Sequence, residues 1–194
     1  TYAQKHPGVA EWEYSRTHNP TRTALQDGLA AAESGTHGIC FASGLAAVDT
    51  VIRTLNPGDS VICGDDVYGG TYRLFTTVFA KYGIEFTFVD LSDPGIEIPV
   101  GTSLVWAETP TNPLLKTTDI PQLAAKAHAV GALLAVDNTF ATPVFQRPLE
   151  LGADLVLHST TKYIGGHSDV VGGALITSND DLAAQFTTLQ NSVG

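Results

Sequence analysis

Methionine is absent from the 194 residues, cysteine occurs twice, and charged side chains make up only 15 %. A typical soluble domain carries about 25 %. Each scarcity excludes something. Two cysteines, Cys40 and Cys63, both within apolar runs, cannot staple a disulfide scaffold, and no Cys-x-x-Cys or His-Glu-x-x-His offers a metal-ligand set. Buried free thiols in a reducing, cytoplasmic setting are expected. Ten Lys and Arg against 20 Asp and Glu give a net charge of −10, so no basic patch exists for nucleic acid. The longest apolar runs, such as Gly131–Val136, fall far short of the ~20 residues that span a bilayer. The 43 % hydrophobic content excludes a disordered chain. With no Met at its start, the chain is expected to be part of a longer product. The low charge further suggests a surface covered by other protein.

What is present is an alternation. Asn19-Pro20 predicts a helix start, Asn as N-cap and Pro at the first helical position, with Leu25, Leu29 and Ala32 on one face. Strands are predicted at His37–Phe41, Ser60–Cys63, Glu85–Val89, Ser103–Ala107, Ala132–Val136, Leu155–His158 and Ala174–Thr177. Between them come helices marked by Leu45, Val48, Ile52 and Leu55, then by Gly70–Tyr82 and by Ile120–Val130. A last helix begins over Leu182–Leu189. Strands apolar on both faces and separated by helices imply an α/β domain with a mostly parallel sheet flanked by helices.

Ligands of such sheets bind where strands end and loops enter helices. There the sequence places Ser43-Gly44, Asp65-Asp66-Val67-Tyr68, the run Glu108–Pro113, Asp137-Asn138-Thr139 and Ser159-Thr160-Thr161-Lys162. Dinucleotide, P-loop and nucleophile-elbow glycine patterns are missing. Each candidate alone has an ordinary explanation: Ser43 as a plain N-cap, Asp137 as a turn residue, Lys162 as a solvated surface lysine, Tyr68 as a packing aromatic. Together they offer amides for a phosphate, a carboxylate for a protonated ring nitrogen, a nucleophilic lysine in a hydroxyl-rich, partly buried setting and a stacking ring. Pyridoxal 5'-phosphate uses all four.

The runs Tyr14–Thr21, Ser43–Ala47, Asp66–Thr71, Glu108–Pro113, Val136–Phe140, Ser159–Tyr163 and Gly166–Asp169 resemble, in order, the Cys/Met-metabolism (trans-sulfuration) family of fold-type I pyridoxal-phosphate enzymes. The resemblance implies Lys162 as Schiff-base lysine and proton carrier, Asp137 as partner of the pyridine nitrogen, and Tyr68 as the stacking ring that assists proton transfer. It implies Gly44, Leu45, Ser159 and Thr161 as phosphate ligands and Asn112 beside the phenolic oxygen. Tyr14 and Arg16 would reach the phosphate of a neighbouring subunit, and Arg73 would contact substrate. It further implies an arm over residues 1–20, a large cofactor domain over 21–194, and a smaller C-terminal domain beyond them that grips the substrate α-carboxylate. Without that domain the 194 residues are expected to turn over substrate poorly. A sulfur amino-acid substrate, no metal and a homotetramer with shared active sites complete the expectation. Leu45 and Asp65–Thr71 resemble the branch that cleaves cystathionine by γ-elimination. The alternatives are a γ-synthase-type transferase using an acylated homoserine, a methionine γ-lyase (which usually carries Cys where this chain has Gly70), or a binding protein that has lost catalysis.

Overall fold

The computed structural model describes Trp12 and residues 14–194. Most of the expected arm, residues 1–11 and 13, lies outside them. Seven strands form one sheet: β1 (His37–Phe41), β2 (Ser60–Gly64), β3 (Glu85–Val89), β4 (Thr102–Glu108), β5 (Leu133–Asp137), β6 (Leu155–His158) and β7 (Gly173–Thr177), in the order β1-β7-β6-β5-β4-β2-β3. The pairs from β3 through β6 are parallel, whereas β7 runs antiparallel to both β6 and β1. The sheet is thus mostly parallel. β7 breaks the pattern because no helix separates it from β6; the loop between them simply turns back.

Helices cover both faces. α2 (Gly44–Ile52), α3 (Gly69–Arg73) and α6 (Asp180–Val193) lie on one side, where Val48, Ile52, Phe75, Trp106, Leu157 and Phe186 share a buried cluster. α1 (Pro20–Ala32) and α4 (Ile120–Ala129) lie on the other. α4 starts at the Asp119 cap, whose side chain accepts the Gln122 amide, and buries Ile120, Leu123, Ala124 and Ala127 at helical spacing. Each fully buried Ile or Leu there contributes roughly 2 kcal/mol.

Three expectations need correction. The predicted helix over Gly70–Tyr82 is three pieces: α3, a π-helical turn at Leu74–Val78 and a 3-10 turn at Phe79–Tyr82 that Gly83 ends at φ 78°. A short helix α5 (Thr142–Phe145) and a 3-10 turn at Pro148–Leu151 were not predicted. Leu25 is exposed, because α1 meets β1 and β7 through Gln26, Leu29, Ala30 and Glu33, with Gln26 Oε1 accepting the Cys40 amide at 3.1 Å. Both cysteines are free as expected, although Cys40 is only half-buried. Among the described residues no helix is long and apolar enough to cross a membrane, and none forms a metal-ligating cluster.

Candidate active site

A cavity of about 490 Å³ opens at the carboxyl ends of β4, β5 and β6. Its lining includes Ser43, Gly44, Leu45, Tyr68, Asn112, Asp137, Ser159, Thr161 and Lys162. The fold therefore brings together residues spread over some 120 positions of sequence.

One wall is the start of α2. Ser43 caps it, its hydroxyl accepting the Ala46 amide at 3.0 Å. The Gly44 and Leu45 amides find no acceptor among the described residues, and both residues line the cavity. A side chain at Gly44 would not fit: an added Cβ would stand 2.8 Å from Ser159 Cβ. That close approach holds the α2 amides beside the β6 loop. Ser159 is tied to the loop after β5, its amide donating to Thr139 Oγ1 at 2.9 Å. Thr161 pins the β6–β7 loop, its hydroxyl donating to Gly172 O at 3.1 Å and accepting the Gly172 amide at 3.0 Å.

The floor carries two carboxylates. Asp137 ends β5, is buried, and its Oδ1 accepts the Thr139 amide at 3.0 Å. Burial pushes its carboxyl above the usual range. Glu108 ends β4 in register with Asp137 and lines the same cavity. The sequence reading missed Glu108, although the signal was the one that marked Asp137: an acid closing an apolar strand. Its Oε2 accepts the Tyr68 amide at 2.8 Å. Burial first, then the charges of Asp137 and Asp66, pushes its pKa up to about 8. Thr71, Thr139, Phe140 and Val171 also line the cavity.

Tyr68 forms the opposite wall, with its ring folded over Gly70, where an added Cβ would stand 2.3 Å from Tyr68 Cε1. Lys162 reaches the cavity from the β6–β7 loop. It is exposed rather than partly buried, because no element among the described residues covers that loop. Three expected residues lie elsewhere. Arg73 ends α3 outside the lining. Tyr14 and Arg16 sit in a turn at the far end of α6, where the Arg16 guanidinium donates to the Asn191 carbonyl and stacks 5.4 Å over the Tyr14 ring.

A three-layer α/β domain with unpaired helix-start amides, a buried acid and a lysine around one cavity at its strand ends defines a cofactor-binding enzyme fold. The chain belongs to the family of Cys/Met metabolism PLP-dependent enzymes, whose model matches residues 1–194. A protein of Herpetosiphon aurantiacus named "Probable cystathionine gamma-synthase" is 57 % identical over 200 residues, which cover 100 % of this chain and 62 % of that protein. The cystathionine gamma-lyase of Dictyostelium discoideum is 53 % identical over 199 residues, covering 100 % and 51 %. The crystal structure of cystathionine gamma-lyase from Lactobacillus plantarum complexed with L-serine superposes with a TM-score of 0.92 at 46 % identity, covering 96 % of this chain and 50 % of that one. The chain thus spans about half to three-fifths of its relatives' length. A synthase and a lyase at 57 % and 53 % leave the preference for the lyase branch unresolved by identity.

The residues present fit pyridoxal phosphate. The Gly44 cradle would be filled by any Cβ, the α2 amides lack acceptors, and Asp137 is buried without a Lys, Arg or His ion-pair partner among the described residues. Such a carboxylate calls for a cationic N–H from a ligand.

Proposed function

We propose that this chain is the cofactor-binding part of a trans-sulfuration enzyme, and that its reaction is γ-elimination: cystathionine and water give cysteine, 2-oxobutanoate and ammonia. The observation that carries this reading is the convergence of Lys162, Asp137, Tyr68 and the α2 amides on one cavity. Pyridoxal phosphate supplies there an electron sink for charge developing at the substrate α-carbon.

The chain's own residues divide the remaining work. The Gly44 and Leu45 amides and the Ser159 hydroxyl take the phosphate, joined by the Thr161 hydroxyl once it turns from Gly172 O. Asp137 keeps a proton on the pyridine nitrogen. Asn112 meets the phenolic oxygen. Tyr68 covers the ring and holds a hydroxyl over the reacting carbons. Lys162 would hold the cofactor at its aldehyde carbon, and its free amine would take the proton from the substrate α-carbon and return one further along the substrate. Tyr14 and Arg16 act in a neighbouring subunit, an assignment that suits their distance from this chain's own cavity. We place the active form as a homotetramer, a dimer of dimers with shared active sites, in the cytoplasm. Support comes from the apolar Tyr163, Val170 and Val171, exposed beside the cavity mouth, and from the free cysteines.

A γ-synthase reaction, joining an acylated homoserine to cysteine, is the second reading, and the 57 % identical relative favours it. A methionine γ-lyase is disfavoured by Gly70, the position at which the resemblance implies a Cys for that branch. A degenerate binding protein is disfavoured by Lys162 and Asp137 standing in the same cavity. The deciding experiment assays the full-length protein with cystathionine alone and with acylated homoserine plus cysteine. Release of 2-oxobutanoate from cystathionine at the faster rate supports the lyase; faster formation of cystathionine overturns it.

A further inference from the structure

Glu108 and Asp137 close neighbouring parallel strands at the same register position, so both side chains leave the same face of the sheet and reach the same cavity. Glu108 is 6 % exposed and Asp137 8 %. Neither forms an ion pair among the described residues. Two adjacent buried carboxyls without a cation cannot both ionise cheaply; one keeps a proton. The two are not equivalent. Asp137 accepts from Thr139 within its own turn. Glu108 reaches across to β2's exit loop and holds the Tyr68 amide, the point from which the Tyr68 ring hangs over the cavity.

We propose that Glu108 is a positioning residue that stays uncharged, fixing Tyr68 over the cavity while leaving Asp137 as the one anion on the floor. The inference rests on the reading of Asp137 as partner of the pyridine nitrogen. A second anion beside Asp137 would compete for that ring proton, whereas a neutral acid anchors Tyr68 without disturbing it. Burial, Asp137 on β5 and Asp66 on the loop after β2 favour a retained proton on Glu108, whereas the Tyr68 amide, donating to it, opposes them without cancelling them; Cys63 on β2, itself pushed well above the usual thiol range by burial, adds no cation. Lys162 lines the same cavity from the β6–β7 loop. His158 bears on Asp137 from β6.

The test has two arms. Infrared spectroscopy of the protein without cofactor should show a protonated-carboxyl band at neutral pH that titrates near 8. The band should vanish in Glu108→Gln and titrate at lower pH in Asp137→Asn. In the second arm pyridoxal phosphate is titrated by absorbance. Glu108→Gln, neutral and able to accept the Tyr68 amide, should bind within about 3-fold of the parent protein, whereas Glu108→Ala, which orphans that amide, should bind about 10-fold more weakly. No band at neutral pH, or Glu108→Gln binding as weakly as Glu108→Ala, overturns the proposal. Parent-like binding by Asp137→Asn would instead overturn the Asp137 reading, and the infrared arm would still decide the state of Glu108.

Discussion

Glu33, at the end of α1, and His158, at the end of β6, are joined by a hydrogen bond on the sheet face opposite the cavity, each side chain only 1 % exposed. Glu33 Oε1 also accepts from Asn138 Nδ2 at 2.7 Å, and Asn138 in turn exchanges hydrogen bonds with Gln146. Asn138 follows Asp137, and His158 precedes Ser159. The buried pair therefore fastens the two strand ends that present those residues. Glu33→Ala would leave His158 buried without its partner and take from Asn138 Nδ2 one of its two acceptors. We expect a loss of about 3 kcal/mol and a fall in Tm of roughly 10 °C by thermal denaturation. An unchanged Tm would contradict a structural role for the pair.

Gly70 is required by the Tyr68 ring, since any Cβ there would overlap it. Tyr68 is 44 % exposed and free to swing outward, so Gly70→Ala should fold normally and lose the ring's cover over the cavity. Affinity for pyridoxal phosphate should drop about 5-fold. An absorbance titration matching the parent protein would show that Tyr68 does not cover the cofactor.

Gly44→Ala should act through the phosphate alone. The new Cβ would force α2 away from Ser159 and spoil the amide cradle. Pyridoxal phosphate binding should weaken ~10-fold or more, while pyridoxal, which lacks the phosphate, should bind as it does to the parent. Equal losses for both ligands would argue for general distortion.

Glu108 also predicts a pH dependence of stability. Its carboxyl is raised from 4.5 in the reference state to about 8 in the fold. Between those values the unfolded chain has released a proton that the native protein keeps, so stability falls as pH rises, by at most about 1.4 kcal/mol per pH unit. Below 4.5 both states are protonated and the effect vanishes. Chemical denaturation at about pH 5 and about pH 8 should show the parent losing more stability than Glu108→Gln. Equal losses would mean that Glu108 ionises normally.

Much of this architecture is legible in sequence because strand ends in an α/β sheet collect function whatever their tertiary detail. Ser43-Gly44, Asp137 and the Ser159–Lys162 run were found by that rule alone, and the cavity brings them together. Tertiary choices were not legible. The antiparallel turn of β7 depends on the β6–β7 loop, which Thr161 pins to Gly172, a long-range contact with no local signature. Leu25 fits a helical apolar face, yet α1 docks through Gln26 because the β1 backbone offers an amide there. The role of Glu108 depends on the register of β4 with β5, which sets it beside Asp137 and has no local signature.

The central claim is that Lys162 carries pyridoxal phosphate in this cavity. Borohydride reduction of the protein after incubation with pyridoxal phosphate, followed by peptide mass spectrometry, tests it most directly. The account predicts a stable pyridoxyl adduct on Lys162, lost in Lys162→Ala. An adduct confined to another lysine, or none at all, would contradict it.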